Sequence, residues 1–378
     1  MLLDPRIEKF AEVLVNYSTK VEKGDRVYIS GSVLAKPLIE TLYKKVLQLG
    51  AHPSVSISLD GLTDLYYEYA SDEELKRTDD IKKFIYEKFD VLIILISEYN
   101  TRSLSNVSSE KIALVTKAGK TNSEIVMKRS AKWSNDPSYK EGQLRWVVSL
   151  FPTNISAVEA DMSLTDYENF VFKSVGVLEK DPVAFWQNFS KKQKVICEML
   201  NTKKRLSFRS PNCNIEFNVE GRTWINCDGR LNMPDGEVFT GPVENDVTGW
   251  INFTYPTLYD GHEVNGVRIQ MEKGKCVSST ANKGEEFLNS KLDTDEGCRR
   301  IGELAIATNP FITAFSKEIL FDEKIGGTFH VAFGHGYPES GSKNKDAAIH
   351  WDMICNMKDG TVEDENKNII YKNGEFLL

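Results

Sequence analysis

The run Val91-Leu92-Ile93-Ile94-Leu95-Ile96, closed by Asp90 and Ser97, is apolar at every position. It shows neither the 3.6-residue period of an amphipathic helix nor the alternation of a half-exposed strand. A short run of this kind fits a parallel strand buried on both faces. The neighbouring stretches alternate in kind. Arg26-Val27-Tyr28-Ile29-Ser30 follows the turn Lys23-Gly24-Asp25 and reads as a strand. Residues 36–50 carry Leu38, Leu42, Val46 and Leu49 at helical spacing, and Gly50 is placed to end that helix. Residues 55–59 read as a second strand, with Val55, Ile57 and Leu59 on one face. Residues 80–90 read as a helix, 124–129 as part of another, and 146–150 as a further strand. This β-α-β rhythm predicts an α/β domain with an open, mostly parallel sheet covered by helices.

The pattern changes at Asp181-Pro182. A helix over 183–200 leads into strand candidates at 205–209, 214–219, 267–271, 328–333 and 348–354. Helix-like stretches interrupt them at 285–291 and 299–307, and residues 369–378 read as a hairpin around Lys372-Asn373-Gly374. The expected organisation is an N-terminal α/β domain over 1–180 and a C-terminal α+β domain over 181–378.

A chain of 378 residues has room for two or three domains. Its composition, 41% hydrophobic and 27% charged, is that of a folded globular protein rather than a disordered one. The formal net charge of -8 argues against nonspecific nucleic-acid binding and against a polybasic membrane patch. No apolar run approaches the ~20 residues of a membrane helix. The opening Met1-Leu2-Leu3-Asp4-Pro5-Arg6 lacks the basic flank and apolar core of a secretory leader, so a cytoplasmic protein is expected. The six cysteines contain no C-x-x-C pair and are expected to be reduced, mostly buried small residues.

Two large chemical classes lack their motifs. There is no G-x-x-x-x-G-K-[ST] loop, and the first strand-to-helix turn, Ser30-Gly31-Ser32-Val33-Leu34-Ala35, offers no glycine-rich phosphate cradle. The N-terminal domain is therefore expected to be a scaffold or partner surface. No G-x-S-x-G elbow is present either.

Histidine is scarce, and three of the five, His330, His335 and His350, fall in one short segment. In His350-Trp351-Asp352 a strand would project an imidazole and a carboxylate on the same face. Such a pair can bind one divalent cation, although on its own it is more often a hydrogen bond at a strand surface. His330 lies in a second strand candidate, and Tyr337 follows in Gly336-Tyr337-Pro338-Glu339. Glu237 sits in an expected turn, 232–240, where the ordinary role is a solvated carboxylate. Glu303 is flanked by apolar residues in Ile301-Gly302-Glu303-Leu304-Ala305-Ile306-Ala307, where burial would demand a partner and a salt bridge is the ordinary one. Taken together, two glutamates, two histidines and an aspartate form an oxygen/nitrogen set without thiolate, sufficient for two metal ions sharing a carboxylate.

The stretches Met233-Pro234-Asp235-Gly236-Glu237-Val238-Phe239-Thr240, Gly302-Glu303-Leu304-Ala305, His330-Val331-Ala332-Phe333-Gly334, Tyr337-Pro338-Glu339 and His350-Trp351-Asp352 resemble, as an ordered set, the motifs of the aminopeptidase T and aminopeptidase S family of metallopeptidases. The resemblance extends to Lys23-Gly24-Asp25-Arg26-Val27 and Asn100-Thr101 and covers nearly the whole chain. It implies a two-domain homodimeric exopeptidase that takes N-terminal residues from peptides, with a C-terminal catalytic domain and two divalent ions per chain (zinc, cobalt, manganese or magnesium). By the same resemblance Glu237, Glu303, His330, His350 and Asp352 are the metal ligands, and Tyr337 lies beside the metals. His335, His52 and His262 receive no catalytic role.

The expected chemistry is hydrolysis by a metal-activated water, with Glu303 either a proton shuttle or a bridging ligand. Tyr337 is expected to donate to the oxyanion, to coordinate metal, or simply to pack in its turn. Asp235, Glu244 and Glu339 are candidates for holding the substrate's amino group. Two other readings use the same residues. A dinuclear phosphoesterase would want clustered basic residues, but only Lys343 and Lys345 lie between Tyr337 and Asp352. A non-enzymatic binding protein with a structural ion would favour a closed, thiolate-rich site.

Overall fold

The structure is a computed structural model and describes residues 4–135 and 143–377. Met1, Leu2, Leu3 and the hairpin's terminal Leu378 lie outside those residues. The chain divides into two compact units, Met1–Gln187 with Gly229–Pro234, and Asn188–Asp228 with Asp235–Leu378. The division falls inside the helix Pro182–Leu200. At one end of that helix Trp186 donates its indole N–H to the Val175 carbonyl. Further along, the Gln193 amide donates to the carbonyls of Cys227 and Glu237.

The first unit is an α/β structure. Its sheet runs His52–Ser58, Arg26–Ser32, Val91–Ile96, Arg145–Leu150, Asn232–Met233, with every neighbouring pair parallel. Val91, Leu92 and Ile93 are buried, as an all-apolar central strand requires. At one end of the sheet Arg145 and Asp25, both buried, form an ion pair at 2.7 Å. The edge strand His52–Ser58 is different, because Val55 and Ile57 stay exposed.

The second unit is built on antiparallel sheets. An eight-stranded sheet and a five-stranded sheet share one hydrophobic core. The five-stranded sheet runs His350–Asn356, Thr328–Gly334, Ile301–Ala307, Glu237–Thr240, Ile225–Cys227. Leu304, Val331 and Met353 face one another across its three adjacent strands and point into that core. Each such fully buried side chain contributes about 1.5–3 kcal/mol. Period two then sends the alternate residues to the other face.

The second unit departs from the sequence expectations at two places. Residues 299–307 do not form a helix, because Ile301–Ala307 is the middle strand of the sheet. All seven of its residues are buried, so the run lacks the alternation that marks a half-exposed strand, and its Ala, Leu and Glu content imitates a helix. Residues 232–240 are not one solvated turn either. Glu237–Thr240 is a strand, and Glu237 is buried. Among the described residues no helix is long and apolar enough to cross a membrane. All six cysteines are free thiols.

Candidate metal centre

Cross-strand register gathers the five residues. Glu303, Ala332 and Asp352 are direct neighbours on three adjacent strands and share a face. His330 lies two residues before Ala332, and His350 two before Asp352, so both imidazoles join that face. Ala307 pairs with Glu237 and brings the fifth side chain to it. Alanine at 305, 307 and 332 leaves room among the larger polar groups. A bulge between Ile301 and Glu303 sets the register, and Gly302 occupies it. A Cβ there would lie 2.3 Å from the Gly334 carbonyl oxygen and 2.5 Å from that of His335.

The polar atoms converge. His330 Nε2 lies 3.4 Å from Glu237 Oε2, 3.4 Å from Glu303 Oε1 and 3.9 Å from Asp352 Oδ1. His350 Nε2 lies 3.8 Å from Glu303 Oε2 and 3.7 Å from Asp352 Oδ2. Glu303 and Asp352 therefore each turn one oxygen to one imidazole and the second oxygen to the other. The Nδ1 of His350 donates to the His335 carbonyl at 2.8 Å, which turns Nε2 toward the carboxylates. The ring of Tyr337 packs 5.3 Å from His350 and 5.5 Å from Phe239, centre to centre.

Burial works against the charged form of His330, but Glu303, Glu237 and Asp352 outweigh it and carry its pKa up to about 10. Burial raises Glu237 well above the usual carboxylate range, despite Lys324 and His330. It also raises Asp352, against the opposing pull of His350 and His330. Glu303 is buried too, yet the two imidazoles and Lys324 bring it below its ordinary value. Tyr337 is raised by burial and then by Glu303 and Asp352, so its hydroxyl keeps its proton.

A family model described as thermophilic metalloprotease (M29) matches residues 3–376. The chain belongs to the M29 family. Among curated proteins it is similar to Aminopeptidase 2 of Geobacillus stearothermophilus, 25% identical over 418 residues, 99% of this chain and 98% of the relative. It is likewise similar to Aminopeptidase T of Thermus thermophilus, 26% identical over 412 residues and 98% of each chain. Among solved structures, wild-type AmpT from Thermus thermophilus superposes with a TM-score of 0.85 over the whole of both chains at 21% identity, a likeness of fold.

M29 membership implies a divalent metal, and the residues fit one. Among the described residues, Glu237 Oε2, both ring nitrogens of His330 and Asp352 Oδ1 are buried without a hydrogen-bond partner. Buried polar atoms are rarely left so, and an ion would satisfy the inward-facing ones together.

Two residues absent from the sequence expectations lie beside the candidate centre. Oxygen atoms of Glu323 and Asp352 and a ring nitrogen of His330 all lie within 4.8 Å of one another. Lys324, with its side chain wholly buried, forms an ion pair with Glu323 and lies 3.9 Å from Glu237 Oε1. Burial opposes the Lys324 charge, but Glu323, Glu237 and Asp235 more than restore it and raise its pKa. The loop carrying both residues is fixed by Asp322, which accepts from the Ser316 amide at 2.7 Å and its hydroxyl at 2.9 Å. The triplet Asp322-Glu323-Lys324 between Phe321 and Ile325 was the available signal, by the argument already applied to Glu303.

The other sequence candidates fall variously. Glu244 is committed to Arg222 at 2.7 Å and to the Lys343 amide at 2.6 Å. Asp235 is buried within 4.8 Å reach of Cys227 and Glu237. Glu339 has a buried Oε2 without a hydrogen-bond partner among the described residues. His335 serves through its main-chain carbonyl.

Proposed function

We propose that this M29 protein is a metal-dependent aminopeptidase that hydrolyses the first peptide bond of peptides, with a broad or leucine-like preference. The observation that carries the reading is the division of the Glu303 and Asp352 carboxylates between His330 and His350. It supports two adjacent cation positions in a catalytic domain spanning 181–378. Glu237, His330, Glu303 and Asp352 would hold one ion, and His350, Glu303 and Asp352 the other. Zinc, cobalt, manganese and magnesium all suit such donors. Divalent ions bound there would supply Lewis acidity, lowering the pKa of water and polarising a carbonyl.

The remaining steps belong to the chain's own side chains. Glu303 and Asp352 both serve as ligands shared by the two positions, since each turns its oxygens to both imidazoles. Glu323 then accepts the proton of the attacking water and passes it to the leaving amine. Tyr337, held protonated, donates to the oxyanion of the tetrahedral intermediate. Glu339, two residues beyond Tyr337 and with a buried free oxygen, receives the substrate's ammonium group.

Two further features are part of the proposal. The exposed Val55 and Ile57 on the edge strand His52–Ser58 support a homodimer. Six free thiols support a reducing, cytoplasmic setting.

The test is release of p-nitroaniline from leucine-p-nitroanilide, with p-nitrophenyl phosphate as control, before and after chelation. Chelator-sensitive amide hydrolysis with an intact phosphate ester is expected. Turnover of the phosphate ester alone would refute the peptidase reading.

A further inference from the structure

We propose that Lys324 is a positioning residue that keeps Glu323 out of the metal coordination shell and free for proton transfer. The inference rests on the metallo-aminopeptidase reading. Glu323 is within reach of a bound ion, since its carboxylate lies with His330 and Asp352 inside a single 4.8 Å cluster. What distinguishes it is Lys324. That side chain has no solvent exposure, and its ammonium is paired with Glu323 Oε1. A buried cation is costly unless paired, so its place here is set by the carboxylates around it.

The same ammonium acts on Glu237. Oε1 of Glu237 faces Lys324 at 3.9 Å, while Oε2 faces His330 at 3.4 Å. Lys324 thus selects which Glu237 oxygen points inward. Its positive charge also opposes a further ligand–cation contact on its own side of the centre. A neutral residue at 324 would release Glu323 to swing onto a bound ion. The ion would then be held more tightly, and the proton acceptor would be lost.

The full-length chain is stripped of metal, and its Zn²⁺ affinity is measured by competition with a chromogenic chelator. Steady-state kinetics on leucine-p-nitroanilide follow after reloading. For Lys324→Met the expected results are Zn²⁺ binding about tenfold tighter, kcat lower by about 30-fold or more, and KM nearly unchanged. Lys324→Gln, polar and of similar length, should move both quantities the same way if the Met variant does not fold. In a Glu323→Gln background, Lys324→Met should bring little further loss of kcat, because the two act as a unit. Weaker Zn²⁺ binding with activity falling in parallel would overturn the proposal and leave Lys324 a purely structural cation. Unchanged kcat in both variants would also overturn it. A wild-type chain that binds no Zn²⁺ would instead remove the reading on which the proposal rests.

Discussion

His350 donates from Nδ1 to the main-chain carbonyl of His335 across 2.8 Å, and this single contact decides which face of the imidazole meets the carboxylates. The carbonyl fixes both tautomer and ring direction, so Nε2 is presented to Glu303 and Asp352. His350→Ala removes that nitrogen from a side chain that is about one quarter exposed. Activity on leucine-p-nitroanilide should fall at least about 100-fold, with the far-ultraviolet circular dichroism unchanged. Near-normal turnover with full metal dependence would show that His350 is not a ligand.

Glu303→Gln keeps the shape of the shared carboxylate and removes its charge. One of its two inward atoms becomes a hydrogen-bond donor facing an imidazole. Metal bound per chain should fall, and kcat should drop by about three orders of magnitude. Both are read on one preparation, by elemental analysis and by rate. Full metal retention with normal kcat would exclude a bridging role.

Gly302→Ala probes the scaffold beneath the site. The new Cβ would meet two carbonyl oxygens, one of them the His335 acceptor that orients His350. Relief requires the strands to part locally, at about 1–3 kcal/mol. A lower melting temperature together with weaker metal binding is expected. A variant with unchanged stability and unchanged metal affinity would mean that the bulge does not set the ligand geometry.

Asp364 gives the second unit an acid-sensitive contact away from the candidate metal centre. Burial disfavours its charge. Asn368, the Asn366 amide and Lys203, at 3.0 Å, outweigh that effect and hold its pKa down at about 2. A carboxyl depressed in the folded state stabilises it above the ordinary carboxylate pKa and loses that contribution as the pH falls toward the folded value. Asp364→Asn should therefore cost on the order of 1 kcal/mol at neutral pH, after allowance for solvent screening. It should cost almost nothing near pH 2. Urea titrations across that range give the comparison, and a pH-independent difference would contradict it.

Much of this architecture is legible in the sequence, for physical reasons that differ from element to element. Val91–Ile96 reads correctly because a strand buried on both faces has no polar positions to confuse it. Ile301–Ala307 misreads because its carboxylate is buried as fully as its isoleucines, so burial leaves no period. The candidate ligands stand out through the rarity of histidine and the two-residue spacing of His350 and Asp352, which a strand converts directly into a shared face. Glu323 and Lys324 escape notice because they belong to no strand. Only the folded loop brings them beside His330 and Glu237.

In the proposed centre, Glu237, Glu303, His330, His350 and Asp352 hold a pair of ions with Glu303 between them. Crystals of zinc-loaded protein, with data collected on both sides of the zinc absorption edge, test it most directly. Two anomalous peaks are predicted, one among Glu237, His330, Glu303 and Asp352 and one among His350, Glu303 and Asp352. A single peak, or peaks remote from Glu303 in a chain that is fully active, would contradict the account.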